Sequence, residues 1–321
     1  MNDYRSLLSQ AKEDVVHVLR DKGIQERYLQ FGGEGPEPEK KVRAPTDARS
    51  EFLANRAMGD WAENLVTSVV QTIDPGWTVT QYGNTDSMAA GDDGFADLYR
   101  AGLEEVRKYG KRPDLLVLPA SPDVPPDIST LRRGESDVYV SRSVAAIEVR
   151  SSKFRALQYM AVRKAELASG KKSDRLTPSF TVKVEDLVVV YRWVEKYNVS
   201  QSYCQVFFDS MWAINVLDIF RIIGSGVGFK IETPEKSQLK ATIMIPITSG
   251  SKVGDFVESP AFQVETKHTR LGRVDAFVKP VGGRVEPDRV ALRRVLLAEP
   301  APLSSGQVLP RGLQSSLPLT N

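Results

Sequence analysis

Cysteine and histidine are almost missing from this chain. Cys204 stands alone among 321 residues, so no disulfide and no cysteine-based zinc site can form within one chain. His17 and His268 are the only histidines and sit in no metal-ligand spacing, which argues against a histidine-dependent hydrolase. No apolar run is long enough to span a bilayer, and charge begins at Asp3. A soluble cytoplasmic protein without a secretory leader is therefore expected. Large charge of either sign is also lacking: the formal net charge is +2, too small to imply any partner. No internal repeat occurs.

What is present is 41% hydrophobic and 26% charged sequence, enough for one large or two modest domains with a real core. The chain is organised around the stretch from Lys111 to Lys153. It opens with Lys111-Arg112-Pro113-Asp114-Leu115-Leu116-Val117-Leu118, a carboxylate at the mouth of an apolar run. It closes with Ile147-Glu148-Val149-Arg150-Ser151-Ser152-Lys153, an apolar run ending in a carboxylate and cations. Short aliphatic runs separated by Pro-rich and polar segments read as adjacent strands. Two such strands could hold Asp114 and Glu148 within reach of one ion. Mg²⁺ prefers oxygen ligands and often takes only one or two protein carboxylates. That chemistry suits phosphodiester cleavage. Two buried strands with ordinary charged ends would, however, give the same short pattern.

These residues resemble the PD-(D/E)xK nuclease superfamily, with Pro113-Asp114 as the PD element and Glu148-Val149-Arg150 as the (D/E)xK element. Arg150 departs from the pattern, and an arginine can stabilise charge but not act as a base. Lys153 or Lys183 could supply the amine. In a second register, Ser151-Ser152-Lys153 followed by Glu166 resembles an SxK…E variant in which the second carboxylate lies on a helix. Gly59-Asp60-Trp61-Ala62-Glu63 resembles the helix preceding the PD strand in this superfamily, so Glu63 either touches the metal site or is a surface carboxylate.

Elsewhere, periodicity predicts a helix over residues 4–30, with Leu7, Leu8, Val15 and Leu19 on its apolar stripe. The Gly-, Pro- and Glu-rich stretch 32–41 then breaks the pattern. Residues 1–45 are thus expected to form a helical arm and linker, 46–299 a catalytic and DNA-recognition domain, and 300–321 a mobile tail. Helices are expected over 50–73, 95–108, 154–168, 188–194, 216–223 and 290–297. Strands are expected over 77–82, 205–209 and 241–246, with a hairpin from 262–266 and 273–278 and a loop over 119–135. Asp92, Asp93 and Asp97 suggest a calcium loop only weakly, lacking the required glutamate. The fold class expected is α/β, a restriction-endonuclease-like core with a central mixed sheet flanked by helices.

The chain is also similar to type II restriction endonucleases of the AccI type. The stretches that carry this are Gly110–Leu116, Ile147–Ser152, Phe180–Leu187 and Tyr203–Ser210. The resemblance implies a Mg²⁺-dependent enzyme cutting both strands of double-stranded DNA at a short, usually palindromic site, commonly as a homodimer. A cognate methyltransferase would accompany it. Alternatives are a repair or structure-specific nuclease of the same fold, or a DNA-binding protein with a decayed site. Between Arg142 and Arg175, nine cations face three anions, which favours a polyanionic substrate. DNA contacts are expected among Arg155, Gln158, Arg163, Lys164, Lys171, Lys172, Arg175, Lys267, Arg270 and Arg273. A twofold site calls for a twofold dimer, with the stripe of the first helix or residues 216–223 at its interface.

Overall fold

Long aliphatic runs in short strands require burial on both faces, and the computed structural model supplies it. It describes residues 3–33, 50–83, 95–171, 175–233, 241–268 and 272–299. Most of the expected linker, Asp92, Asp93 and the tail lie outside them.

The described chain begins with α1 (Tyr4–Asp21), followed by α2 (Ser50–Ile73). Next come β1 (Trp77–Gln81), α3 (Phe95–Tyr109), β2 (Leu115–Pro119), α4 (Arg133–Val140) and β3 (Ala145–Ser151). Then follow α5 (Ala156–Ala168), β4 (Ser179–Lys183), α6 (Val184–Tyr197), β5 (Gln201–Val206), β6 (Ser210–Asn215) and α7 (Val216–Gly224). The C-terminal part holds β7 (Lys230–Glu232), β8 (Thr242–Pro246), β9 (Ser251–Glu258), β10 (Ala261–His268), β11 (Val274–Val281), β12 (Arg284–Pro287) and α8 (Arg289–Leu296).

A seven-stranded sheet runs β1-β2-β3-β5-β6-β9-β12. It is mixed, because β3 and β5 pair in parallel while its other neighbours are antiparallel. Alternate residues of β2 point to opposite faces. Leu116 and Leu118 join a core built with α1, α6 and α7, while Leu115 and Val117 join one built with α2 and α8. A three-stranded sheet, β4-β8-β7, and the β10–β11 ribbon complete the described structure. Among the described residues no helix is long and apolar enough to cross a membrane.

Several expectations are corrected. The first helix stops at Asp21, because Gly23 turns the chain at φ +86°. The 119–135 loop runs into α4, whose buried residues Arg133, Ser136 and Val140 carry little apolar signal. Strands β6, β9 and β12 were not legible as separate strands, and β5 begins earlier than expected. Leu8, Val15 and Leu19 of α1 pack with Ile219, Phe220 and Ile223 of α7 in the subunit's own core, all fully buried. Each such burial is worth about 1.5–3 kcal/mol. Those side chains therefore cannot also form the dimer interface suggested for them, and of the apolar positions suggested, half-buried Leu7 and Ile222 at the margin retain exposed surface.

By contrast α5 buries only Ala156, leaving Val162 and Leu167 about half exposed. Its attachment is polar: the Asp209 carboxylate accepts the amides of Ala156, Leu157 and Gln158 at 2.8, 2.9 and 3.2 Å.

Candidate active site

The chain enters β2 through a forced turn. Gly110 has φ +83°, and a Cβ there would lie 2.3 Å from the Val189 carbonyl oxygen and 2.4 Å from the Trp193 nitrogen. Only glycine fits this approach to α6. The Lys111 amide then donates to the Val189 carbonyl at 3.2 Å, which fixes where Lys111 through Asp114 leave the helix layer.

β2 and β3 pair with Leu115 opposite Ile147 and Leu116 opposite Ala146. Continuing that register by one residue places Asp114 opposite Glu148, at the end of the antiparallel ladder. The Asp114 carbonyl accepts the Tyr82 and Gly83 amides at 2.9 and 3.1 Å, and its Oδ2 accepts the Val149 amide at 2.7 Å. On the other side of β3, Glu148 is in parallel register with Tyr203. Local pairing therefore clamps both carboxylates before any ligand arrives.

Glu148 is only 2% exposed. Its Oε1 receives the Lys111 ammonium and, at 3.1 Å, Arg150 Nη2. Arg150 also reaches Asp186 Oδ2 in the first turn of α6 at 3.3 Å and lies over the Tyr203 ring. Three polar atoms here are buried without a partner: Glu148 Oε2, Arg150 Nε and the Tyr203 hydroxyl oxygen. Orphaned buried polar groups are costly and uncommon in folded proteins. Gathered at one strand end, they mark a place built to receive something polar.

The electrostatics agree. Burial, reinforced by the Glu148 and Glu63 charges, pushes the Asp114 carboxyl well above the usual carboxylate range, against the pull of Lys111. Burial and the Asp60 and Glu148 charges raise Glu63 to about 7. Burial opposes the charge on Lys111, but the Glu148 and Asp114 carboxylates outweigh it and raise its pKa. Burial is the main reason that Asp114 and Glu63 resist ionising, and a divalent cation bound beside them would favour their charged forms. Two carboxylates with a free buried oxygen suit a hard ion that keeps several waters, as Mg²⁺ does. Among the described residues, no three His, Cys, Asp or Glu side chains form a ready-made cage.

The other expected site residues fall elsewhere. Glu63 lies midway along α2, within electrostatic reach of Asp114 and Glu148. Glu166, on α5, pairs with Arg163 at 2.8 Å and Lys171 at 3.8 Å. Lys153 is exposed in the turn between β3 and α5. Lys183 ends β4 and approaches Glu185 at 3.5 Å.

Arg155, Gln158, Arg163 and Lys164 lie on α5 or its lead, and Lys171 just past its end. Arg175 pairs with Glu232. Lys267, next to last in β10, lies across the ribbon from Asp275, which Arg273 meets at 2.9 Å. Lys172 and Arg270 lie outside the described residues. Sequence reading passed over Lys111, Asp186 and Tyr203 as site residues. Lys111 had a usable signal, a lysine three residues before the carboxylate. Asp186 and Tyr203 meet Arg150 only through tertiary pairing.

A family model described as AccI restriction endonuclease matches residues 28–169 and 161–301. No curated protein and no solved structure matches the chain.

Proposed function

The chain belongs to the AccI restriction endonuclease family, and on that premise we propose that it is a type II restriction endonuclease with a PD-(D/E)xK core. Residues 46–299 form its catalytic and recognition unit. Its reaction is Mg²⁺-dependent hydrolysis of phosphodiester bonds in double-stranded DNA at a short palindromic sequence. It acts as a homodimer, with a methyltransferase protecting the same sequence. The observation that carries this reading is the Asp114–Glu148 rung, with Glu148 Oε2 buried and unpartnered.

Asp114 and Glu148 Oε2 would hold the ion, since Asp114 Oδ2 is engaged by Val149 and Glu148 Oε1 by two cations. The chemistry such an ion supplies is polarisation of the scissile phosphate and activation of water. Arg150, anchored by Glu148 and Asp186, presents a permanent charge that steadies the phosphate but cannot take a proton. Glu63 adds negative field from α2. Exposed cations on α5 and the ribbon would grip the DNA backbone, where half to two-thirds of protein–DNA hydrogen bonds go.

Arg150 in the place of the expected lysine is the observation that favours the rival reading, a DNA-binding protein that no longer cuts. Incubating plasmid and phage DNA with purified protein and Mg²⁺ decides between them. Discrete fragments, lost on chelation, are expected. Smears or structure-dependent nicks indicate a repair nuclease, and intact DNA that is still bound indicates a decayed site.

A further inference from the structure

We infer that Lys111, rather than a lysine two residues beyond Glu148, is the positioning amine of this centre. The inference rests on the proposed Asp114–Glu148 metal site and adds to it a residue from the opposite strand. Three observations carry it. Lys111 arrives from the turn that Gly110 locks onto α6, so its backbone is held by the fold rather than by its charge. Its ammonium seats on Glu148 Oε1, the oxygen shared with Arg150, and leaves Oε2 as the unpartnered atom. The position where the family pattern would put the amine is occupied by Arg150, whose side chain is tied back to Asp186.

A carboxylate can rotate about its terminal torsion and offer either oxygen. Two cations on one oxygen remove that freedom and leave the other as the oxygen open to an ion. An ammonium has three N–H donors. Glu148 uses one, and the Lys111 side chain remains about a third exposed (36%), so a DNA phosphate can approach the rest. Lys111 thus has two tasks: fixing which oxygen meets the ion, and offering donors to the phosphate. Neither requires it to lose a proton. Lys153 is exposed beyond the end of β3, and Lys183 approaches Glu185.

The experiment compares wild type, Lys111→Met, Lys153→Met, Lys183→Met and Asp114→Asn. Single-turnover cleavage is measured across a Mn²⁺ titration, and DNA affinity in Ca²⁺. For Lys111→Met we expect about a 10- to 100-fold loss of rate, the range for residues that orient metal ligands. Its half-saturating Mn²⁺ concentration should rise several-fold and its DNA affinity stay within a few-fold. Lys153→Met and Lys183→Met should lose less. A purely structural lysine would shift melting temperature and DNA affinity together and leave the Mn²⁺ midpoint in place, which overturns the inference. So does a Lys111→Met protein with wild-type rate and midpoint.

If Lys111→Met does not fold, the wild-type protein decides through amine acetylation read by mass spectrometry. Lys111 should be protected when DNA and Ca²⁺ are bound, and equal labelling with and without them overturns the inference. An Asp114→Asn protein that still cuts removes the metal-nuclease reading itself. A dead Asp114→Asn beside a normal Lys111→Met removes only the role of Lys111.

Discussion

Arg150 and Arg155 are five residues apart, yet the charges around them obey different physics. At the β2–β3 rung, cations and carboxylates lie in one another's fields with little water between, and each has a fixed partner. Along α5 the cations stand on a helix that buries a single alanine, and their ion pairs are open to solvent. Exposed pairs of that kind are worth about 0–1 kcal/mol and weaken with salt. The first arrangement is suited to placing atoms, and the second to attracting a polyanion and letting it slide. An enzyme that cuts DNA needs both. Here β3 with the α5 that follows it contributes to both, while the segment leading into β2 and the start of α6 complete the rung.

The comparison breaks most visibly at the rung. Asp114→Asn and Glu148→Gln each keep the side-chain shape but remove the charge that an ion needs. Both should lower cleavage by more than about 100-fold, since loss of mere outer-shell support already costs 10- to 100-fold. DNA binding in Ca²⁺-free buffer should persist, because the surface cations are untouched. Near-normal cutting by either variant would mean that the rung is only a structural ion-pair cluster.

Gly110→Ala tests whether the rung is placed by its backbone. Alanine at φ +83° is strained, and its Cβ would overlap two backbone atoms of α6. Strain of about 1–3 kcal/mol and overpacking of similar size should together lower stability by about 3 kcal/mol. Chemical denaturation measures this directly. A variant as stable as wild type would show that the entry turn relaxes freely.

How much of this was legible in sequence depended on how local the signal was. Asp114 and Glu148 were readable because each ends an aliphatic run, and α2 and α7 because their apolar residues recur at helical spacing. The β6, β9 and β12 strands were obscured because polar residues such as Ser210, Asn215, Ser251 and Asp255 interrupt any strand pattern. Asn215 and Ser210 prove to be buried, and Asn215 donates to Ser200, Ser202 and the Val295 carbonyl oxygen. Such partners come from distant segments, so nothing nearby in sequence announces them. Asp186 lies in the first turn of α6, where a negative charge favours the helix start. Its second role, anchoring Arg150, follows from the tertiary fold that brings the start of α6 within reach of that side chain.

A smaller effect follows from pH. Glu63 titrates near 7 in the folded protein, above the ordinary carboxylate value, because burial and neighbouring charges disfavour its ionised form. Asp114 is raised for the same reasons. A raised acid contributes stability that is fully present below its unfolded pKa and is lost as pH rises through the folded value. Without metal, melting temperature should therefore fall by a few degrees between about pH 5 and 8, and the fall should be shallower in Glu63→Gln and Asp114→Asn. Added Mg²⁺ should stabilise more at pH 8 than at pH 6, because binding displaces those protons. A metal-free melting curve that rises over this interval would reverse the electrostatic assignment of the rung.

The smallest expected effects lie on α5 and the ribbon, where the comparison is sharpened rather than broken. Lys164 and Lys267 are exposed, one on the helix and one near the end of β10. If each meets a phosphate, removing it releases one fewer counterion on binding. The slope of log K against log salt should then become shallower by about 0.9 for each lysine lost. Affinity should fall for cognate and random DNA alike, since a phosphate contact carries no sequence information. The loss should appear in KM, with kcat at saturating DNA close to wild type, because these charges sit outside the rung. Fluorescence anisotropy over a salt series, repeated with both DNAs, measures the slope and the specificity ratio together. An unchanged slope in Lys164→Ala would make that lysine an ordinary solvated cation. A collapse in kcat would place α5 inside the reacting centre and erase the division between fixed interior charge and attracting surface charge.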